Sequence, residues 1–552
     1  MFIKNREIPT LTTQIPQNFV QEITKERGVS DAELETVFMA LEGQPTAMIA
    51  SKLGISDIAV RKRLGEVYKK FRIAGNGPGK LAELRHQLLV LYQVGNGSNQ
   101  FISGERDLTS AITITHRYVD WGQAPDLCVF YGRKQELAEL QQAILSDGCR
   151  LVSLFGLSGS GKTSLAVKIG KLVEHEFEFI IWRSLRGGQS PEHFIANLIL
   201  ILSRHKVSEL PVDLNARISL LIEYLHKHRC LLILDDFEML FTPGELAGRY
   251  RPGLEGYKEL IARIGAFNHN SCMLLIGNEE PTELALLSGE KVKSIHPLVS
   301  EEIVRELFHQ IGLSAKEKDW KNLMSRYGSN LLAFRMVGII IQDFFEGNVA
   351  KFLEATDLFI EDHTSHLLSQ QFERLSNSEI EIMYWLAIAQ SPLSLIKLRE
   401  DILVKSSLSD LLKNLESLSR RSLIEKISDS GEILFSLNPL IMKYVSTNLV
   451  EQLRKEVLEI VKTQSTEKIL LLRTHYFGKY KTRSRGLKAN QSRSILSLLK
   501  NSLQALLMQT TTAEESLNIL ARIALTMQDK SPLEVGYAAE NIRNILAEIT
   551  NF

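Results

Sequence analysis

The sequence has few cysteines, no excess of charge of either sign and no long apolar run. Its four cysteines, Cys128, Cys149, Cys230 and Cys272, lie far apart in the 552 residues, with no CxxC pair. This spacing argues against a disulfide framework and a cysteine zinc site. Lysine plus arginine equals aspartate plus glutamate at 65 each, so the chain as a whole is not biased toward nucleic acid or anionic membranes. No apolar run approaches the ~20 residues of a membrane span. These absences predict a reduced, cytoplasmic chain without a membrane segment.

Glycine-rich and polar stretches divide the chain into regions of different periodicity. A glycine-rich turn occupies residues 75–80, and a longer polar run at residues 95–125 reads as a linker. Helical periodicity precedes this run, and apolar runs alternating with amphipathic helices follow it, which is typical of a parallel sheet. From Val299 onward the pattern is helical except for the strand-like run at residues 431–437. The predicted core strands are residues 151–155, 179–183, 230–234, 272–277 and 292–296.

The segment GLSGSGKT, Gly156–Thr163, lies between an apolar run and a helical one, which is the context of a phosphate-binding loop. Its glycines permit a backbone that turns successive N–H groups inward, toward a phosphate. Lys162 is expected to neutralise the outer phosphates, and the Thr163 hydroxyl to ligate Mg²⁺. The alternative, a glycine-rich turn without a ligand, is disfavoured by the next motif.

Two carboxylates, Asp235 and Asp236, end the apolar strand that begins at Leu231. A buried parallel strand delivers its last residues to the sheet edge where Mg²⁺ and an attacking water would need them. We therefore expect Asp235 to hold the metal through water. Asp236 is the candidate for polarising a nucleophilic water.

The motifs VFYGRKQEL (129–137), GLSGSGKT, LLILDDFE (231–238) and YGSNLLAFRMVG (327–338) occur in an order that resembles NB-ARC proteins of the STAND class of signalling NTPases. The likeness covers most of residues 127–450. It implies that Val129 and Phe130 lie against the adenine with Arg133 nearby, and that the segment containing Leu331 closes over the nucleotide. The expected ligands are ADP or ATP with Mg²⁺. The expected nucleotide-binding set is Val129, Phe130, Arg133, Gly156, Gly159, Ser160, Gly161, Lys162, Thr163, Ser164 and Leu331.

Three positions depart from the family pattern. The run Ile276–Glu280 has no arginine where the family usually places one to sense a γ-phosphate, and Leu331 stands in place of a proline. The run Ile441–Val445 has no histidine to approach the β-phosphate; Lys443 is either an electrostatic substitute or a solvated surface charge. The missing arginine predicts slow hydrolysis, because such a group stabilises transition-state charge.

The resemblance and the patterns together predict an α/β plus all-α protein. A parallel-sheet P-loop NTPase core is followed by a helical lid, a winged-helix domain and C-terminal helices, and is preceded by a tri-helical helix-turn-helix domain. The expected boundaries are 1–95 for the helix-turn-helix, 96–126 for the linker, 127–297 for the nucleotide-binding domain, 298–368 for the lid, 369–450 for the winged helix and 451–552 for the C-terminal helices.

Residues 29–73 predict three helices, with a turn at Leu53-Gly54-Ile55 and Ser56 as a helix cap. The spacing of Val60, Leu64, Val67 and Phe71 gives the third helix a buried face. Its outward residues would include Arg61, Lys62 and Lys69. Two uses of this unit remain open: DNA binding through those cations, or protein interaction with the charges merely solvated.

A second basic run, residues 471–493, has seven cations and no acid and is read as a solvated segment, with nucleic-acid contact as the alternative. The family's bacterial members with a helix-turn-helix usually carry a WD-repeat array at their C-terminal end, and this chain is expected to lack one. The favoured interpretation is an ADP/ATP-dependent switch that self-assembles when activated by an unknown partner or sensor. A transcription regulator is the alternative. At most, the chain is expected to be a slow ATPase.

Overall fold

The computed structural model describes residues 17–41, 44, 46–71, 73, 81, 84, 88, 117–127, 129–207, 209–287, 289, 291–328, 330–356, 358–402, 407–429, 431–478, 495–507, 513–528 and 532–550. The chain divides into two compact units, Met1–Thr113 and Ile114–Phe552. Most of the predicted linker and the basic segment from residue 479 to residue 493 lie outside the described residues.

The first unit is helical, with α1 Gln17–Glu26, α2 Asp31–Leu41, α3 Thr46–Leu53 and α4 Asp57–Lys70. Helix α4 begins after Ser56, whose hydroxyl oxygen accepts a hydrogen bond from the Ala59 N–H at 3.2 Å. Gly54, in the turn before it, has φ +62°, a conformation that glycine adopts without strain. The predicted inward residues of α4, from Val60 to Phe71, are buried in one apolar cluster with residues of α2 and α3.

The second unit is built on a six-stranded sheet in the order β1-β3-β4-β5-β2-β6, and every pairing is parallel. The strands are β1 Tyr118–Asp120, β2 Leu151–Phe155, β3 Phe179–Ser184, β4 Cys230–Asp235, β5 Cys272–Gly277 and β6 Val292–Ile295. All residues of β2, β4 and β5 are buried. Strands covered on both faces read as continuous apolar runs, which is why the sequence located them.

Helices cover both faces of this sheet: α5 Lys134–Gln141, α6 Lys162–Val173, α7 Pro191–Leu202, α8 Leu214–Lys227, α9 Gly256–Ala266 and the short α10 Glu283–Leu287. One apolar cluster joins α7, α8 and α9 to the strands, and a second joins α5 and α6 to them. The predicted P-loop NTPase core, a parallel sheet between helical layers, is confirmed.

Strand β1 corrects the predicted linker of residues 96–126. Tyr118 pairs with Phe179 at the sheet edge, and Trp121, just after the strand, packs against Trp182 with 6.2 Å between ring centroids. A three-residue strand is too short to show periodicity. The contact between Trp121 and Trp182, rather than an apolar run, attaches it to the core.

The rest of the unit is mainly helical, as predicted. Its helices are α11 Glu301–Gln310, α12 Glu317–Tyr327, α13 Leu331–Phe344, α14 Val349–Ala355, α15 Asp362–Phe372, α16 Asn377–Ala389, α17 Leu395–Asp401, α18 Leu408–Arg420, α19 Pro439–Thr463, α20 Leu471–Thr474, α21 Ile495–Leu507, α22 Ala513–Thr526, α23 Pro532–Val535 and α24 Ala538–Thr550. A second, antiparallel sheet has the order β7-β9-β8, from β7 Leu393–Ser394, β8 Glu425–Asp429 and β9 Glu432–Ser436.

Two predicted boundaries cut through continuous helices. The boundary at 368/369 falls inside α15, and the one at 450/451 falls inside α19, a helix of 25 residues. Helix α19 has a proline only at its first position and contains no glycine, so nothing interrupts its backbone hydrogen bonds. A single apolar cluster extends from Val299 to Ile549, joining the elements on both sides of these boundaries.

No helix among the described residues has both the length and the apolar composition that crossing a membrane requires.

Candidate functional site

The predicted phosphate-binding loop connects the end of β2 to the start of α6. Gly159 and Gly161 have φ of +80° and +86°, angles that a residue with a side chain adopts only with strain. The space at Gly159 is also limited, because a Cβ there would lie 2.8 Å from the Oδ1 of Asn330. The glycines therefore allow the loop to turn sharply, and they allow the start of a neighbouring helix to approach it closely.

Lys162 is buried at the centre of the site. Its Nζ donates to the carbonyl oxygens of Gly156 at 3.0 Å and Leu157 at 2.9 Å, and to the Oδ1 of Asn278 at 2.9 Å. Burial lowers the pKa of Lys162 to about 8, and the nearby carboxylates of Glu238 and Asp235 oppose that effect. A desolvated cation at the start of a helix is suited to an anionic phosphate.

Thr163 and Asp235, the two predicted magnesium residues, face each other. The Thr163 hydroxyl donates to the Oδ1 of Asp235 at 3.4 Å. Burial, followed by the adjacent Asp236 carboxylate, raises the pKa of Asp235 to about 7. Among the described residues no group of three or more His, Cys, Asp or Glu could hold a metal ion. A hydroxyl and one carboxylate suit Mg²⁺ that takes its other ligands from phosphates and water.

The structure places Asp236 in a different environment from Asp235. Its Oδ2 accepts from the hydroxyl of Ser184, the last residue of β3, at 2.8 Å and lies 2.9 Å from the Nε of Arg186. Asp236 itself has φ +59°. Its role in polarising water remains a prediction, and a water-activating Asp236 would have to act beside the Arg186 guanidinium.

Glu238 and Asn278 were not predicted as site residues, yet they form the other wall of the Lys162 environment. Glu238 accepts from both the backbone N–H of Asn278 at 3.0 Å and its Nδ2 at 2.8 Å. Glu238 is buried, and burial raises its pKa. The sequence does contain an indication of this role, because Glu238 is a third acidic residue close after the Asp pair. A carboxylate buried near the end of a core strand is energetically costly unless it has a polar partner.

The predicted base-side residues lie just before α5. Val129 is 51% exposed, and Phe130 packs against the apolar cluster that joins α5 and α6 to the sheet. Arg133 is buried and donates from NH2 to the carbonyl oxygen of Ser160. The NH1 of Arg133, which lies 3.8 Å from the Oε1 of Glu136, and the Ser160 hydroxyl are buried with no hydrogen-bond partner among the described residues. Two such orphaned groups beside the loop fit an additional anionic ligand.

The segment around Leu331 approaches the loop, as the resemblance implied. The Nδ2 of Asn330 donates to the Ser158 carbonyl at 3.0 Å, and the Leu332 N–H donates to the Gly159 carbonyl at 3.0 Å. A Leu331 methyl carbon would lie 3.6 Å from a Cβ at Gly161. Helix α13 thus begins directly on the phosphate-binding loop. Ser164 is half-buried in the first turn of α6.

Helix α15 also reaches the loop. The Ser158 N–H donates to the side-chain oxygen of Gln371 at 3.4 Å, and Leu157 belongs to the apolar cluster of the helical region. Lys443, the residue considered as a β-phosphate contact, is half-exposed on α19, and its neighbour Met442 packs against the same cluster. The loop therefore touches residues that follow it in the chain by 172 and 213 positions.

A buried ion-pair network, here called the latch, joins the end of β5 to α15, α16 and α18. The Glu279 carboxylate lies 3.3 Å from the NH2 of Arg374 and 3.2 Å from the NH1 of Arg421. The Nε of Arg421 lies 3.3 Å from the Oε1 of Glu379. Ser417 donates to that same oxygen at 2.6 Å and accepts from the Ala247 N–H at 2.6 Å. Two carboxylates balance two guanidiniums in an interior where an unpaired charge is costly.

In the first unit, Arg61, Lys62 and Lys69 are exposed on α4, as predicted. Lys69 is paired with Glu66 at 2.8 Å, and Lys70 with Glu33 at 2.6 Å. The positive charge available to a ligand is therefore smaller than the count of basic residues indicates. Of the three predicted cations, Arg61 and Lys62 form no ion pair with a described residue.

Curated relatives include an uncharacterized WD repeat-containing protein of Nostoc sp., which is 38% identical over 475 residues, covering 79% of this chain and 37% of that protein. An uncharacterized protein of Mycobacterium tuberculosis is 34% identical over 115 residues, covering 21% of this chain and 28% of that protein. The chain thus spans well under half the length of these relatives.

Similar solved structures include a Walker-type ATPase of Pyrococcus abyssi, with a TM-score of 0.41 and 15% identity, covering 57% of this chain and 96% of that one. A STAND protein with a tetratricopeptide repeat sensor from Pyrococcus horikoshii has a TM-score of 0.31 and 16% identity, covering 78% of this chain and 60% of that one. Residues 133–239 match the NB-ARC domain family. The core of the chain is thus a parallel sheet with a phosphate-binding loop, and its residues 133–239 are similar to the NB-ARC domain.

Proposed function

We propose that this chain is an ADP/ATP-dependent switch of the NB-ARC/STAND type, which holds ADP in a closed state and rearranges when ATP replaces it. The observation that carries the proposal is the contact of the phosphate-binding loop with α13 and α15. A nucleotide bound there must lie next to groups of the helical region as well as the core. The phosphates of the nucleotide are then positioned to change how the helical region packs against the core, and a nucleotide-dependent switch requires such a change.

The residues present fit a magnesium nucleotide. Lys162 would exchange loop carbonyls for phosphate oxygens, the orphaned groups of Arg133 and Ser160 would gain an acceptor, and Thr163 with Asp235 would hold Mg²⁺. The adenine would lie against Val129 and Phe130. Bound Mg²⁺ would neutralise charge on the phosphates.

Hydrolysis is proposed to be slow. The side chain at the end of β5 that contacts Lys162 is the neutral amide of Asn278, which cannot supply a full positive charge to a transferring phosphoryl group. Asp236 is engaged by Arg186 and Ser184. Output would come from self-assembly and from an unknown protein partner or sensor, and the proposed location is the cytoplasm.

The test is to denature the freshly purified chain and identify the released nucleotide by ion-exchange chromatography. The proposal expects stoichiometric ADP from the unmodified chain and none from Lys162→Ala. The matched control is Lys171→Ala, on the same helix, where the side chain is half-exposed and paired with Asp126 at 3.6 Å; it should retain ADP. A wild-type chain without nucleotide that also fails to bind added ADP would contradict the proposal.

A second candidate function, DNA-binding regulation through the first unit, rests on the exposed cations Arg61 and Lys62 of α4. Ile58, one turn earlier, is 79% exposed and could contact thymine methyl groups. The test is duplex DNA binding by the full chain at several salt concentrations. Arg61→Gln/Lys62→Gln should weaken sequence-selective binding, whereas Lys69→Gln, which removes a cation already paired with Glu66, should have little effect. Binding that ignores sequence would exclude this candidate.

A further inference from the structure

A cavity lies at the amino ends of the strands of the parallel sheet, whereas the phosphate-binding loop lies at their carboxyl ends. It has a volume of about 520 Å³, within the range of small-molecule sites. Arg150, Arg229, Ser271 and Lys291 line it, and each is the residue immediately before a strand: β2, β4, β5 and β6 respectively. The cavity is therefore built by the amino ends of four neighbouring strands.

The charge of this cavity is strongly one-sided. Its lining includes four cations, Arg150, Lys227, Arg229 and Lys291, and no carboxylate. Carboxylates among the described residues also lie close by: Glu176 is 3.7 Å from the NH1 of Arg229, and Asp147 acts electrostatically on the lining residue Cys149. The four lining cations outnumber these two carboxylates.

Two of the lining cations, Lys291 and Arg150, donate hydrogen bonds to neutral groups. Lys291 donates to the backbone carbonyl of Asp147 at 2.6 Å. Arg150 donates to the Ala266 carbonyl at 3.1 Å and to the Oδ1 of Asn268 at 3.2 Å. Dipoles of this kind orient a cation without cancelling its charge, so the guanidinium and the ammonium retain their attraction for an anion.

Hydrogen bonds connect the residues of one wall of the cavity. His269 is buried, with Nε2 bonded to the Ile264 carbonyl at 3.0 Å and Nδ1 accepting from the Ser271 N–H at 3.2 Å. The Ser271 hydroxyl lies 2.7 Å from the Leu225 carbonyl and accepts from the Cys230 N–H at 2.9 Å. These bonds fix the turn between α9 and β5, and a preformed wall lowers the entropic cost of binding.

We propose that this cavity binds a small phosphorylated molecule carrying at least two negative charges, at a site separate from the phosphate-binding loop. Guanidiniums and ammoniums together suit phosphate oxygens, for which arginine provides paired donors. Arg150 and the loop lie at opposite ends of β2, whose five residues span roughly 16 Å. One small ligand therefore cannot occupy both sites.

The test uses inorganic tripolyphosphate as the probe, titrated calorimetrically into the full chain without Mg²⁺. The background variant is Lys162→Ala, which weakens the phosphate-binding loop. Lys227→Gln/Lys291→Gln removes two exposed cations of the cavity, and Lys206→Gln/Lys318→Gln removes two exposed lysines that do not line it. Losing two charge-assisted contacts should weaken binding by about tenfold or more, and the control pair should change it by less than about twofold.

Tripolyphosphate binding that the cavity variants weaken and the control variants preserve would support the site. Equal affinity in both pairs, or no binding to the Lys162→Ala chain, would overturn it. So would displacement of the probe by duplex DNA with the same dependence on Lys227 and Lys291, because the ligand would then be a nucleic acid. Repeating the comparison in the otherwise wild-type chain saturated with ADP and Mg²⁺ keeps the test decisive should Lys162→Ala fail to fold.

Discussion

The ammonium of Lys162 donates to the side-chain oxygen of Asn278 across 2.9 Å. Asn278 is in turn held at its backbone N–H and its Nδ2 by the buried carboxylate of Glu238, and the next residue, Glu279, is the centre of the latch. Two adjacent residues after β5, Asn278 and Glu279, thus contact the central lysine of the phosphate-binding loop and the arginines of the latch, respectively.

Asn278→Ala should destabilise the chain by about 2 kcal/mol. The substitution removes one hydrogen bond to Lys162 and one to Glu238, each involving a charged partner in a buried setting. Chemical denaturation measures the effect. Asn270→Ala, at an exposed asparagine, is the control and should change the free energy of unfolding by less than about 0.5 kcal/mol. Equal stability of the two variants would mean that Asn278 does not support Lys162.

Glu279→Gln should cost about 3 kcal/mol and loosen the contact of α15, α16 and α18 with the core. Without this carboxylate, Arg374 loses the carboxylate that it contacts and Arg421 keeps only Glu379, in a buried site. Denaturation and limited proteolysis of residues 370–425 report the two effects. Glu280→Gln changes the adjacent residue, whose carboxylate accepts from Ser294 at the surface, and should leave both readouts near wild type.

A double-mutant cycle measures how much of the stability loss comes from the interaction between Glu279 and Arg421. The losses for Glu279→Gln and Arg421→Gln should be non-additive by at least about 1 kcal/mol, because both substitutions remove the same contact. Additive losses would show that the latch residues act independently.

Asn330→Asp should speed nucleotide release by about tenfold while sparing helix α13. The Oδ1 of Asn330 caps α13 by accepting from the Ala333 N–H at 2.9 Å, a bond that aspartate retains. Its Nδ2, however, donates to the Ser158 carbonyl of the loop, and aspartate places an acceptor there instead, a loss of roughly 1–3 kcal/mol. Stopped-flow displacement of a fluorescent ADP analogue gives the rate.

The control for this variant is Asn348→Asp, which changes the cap of α14, where the side chain accepts from the Lys351 N–H at 3.0 Å. It should release nucleotide at the wild-type rate. Equal rates for both variants would remove α13 from the proposed mechanism.

His475 gives the chain a pH-dependent stability. It is buried beside Trp385, with ring centroids 5.1 Å apart, and burial lowers its pKa from 6.5 to about 4. Between these values the unfolded chain binds more protons than the folded one, so stability falls as the pH drops from 6.5 toward 4, by up to about 3 kcal/mol.

His475→Phe fills the same space with a ring that does not titrate, so the dependence should flatten in this window. The measurement is the midpoint of thermal unfolding as a function of pH. His363→Phe, at an exposed histidine, should retain the wild-type slope; a slope unchanged by His475→Phe would assign the dependence to other groups.

The parallel core was predictable because fully buried strands such as β4 appear as unbroken apolar runs. The phosphate-binding loop was predictable because its backbone geometry requires glycines and its charge requires a lysine such as Lys162. Strand β1 was missed because two tryptophans, rather than an apolar run, fix it to the sheet. Glu238, Asn278 and Gln371 were missed for a related reason. Their importance depends on which groups meet across long sequence separations, and local periodicity carries no information about such contacts.

Helix α19 is long enough to amplify a small tilt at one of its ends. Its 25 residues extend about 37 Å. At its first turn Asn438 lies so close to Gly328 that a Cβ on the glycine would be 2.2 Å from the amide nitrogen. Gly328 ends α12, two residues before Asn330 contacts the phosphate-binding loop. If this contact is the pivot, a tilt of about 10° there displaces the far end of α19 by about 6 Å, so a small change at the phosphates becomes a movement as large as the pitch of a helix.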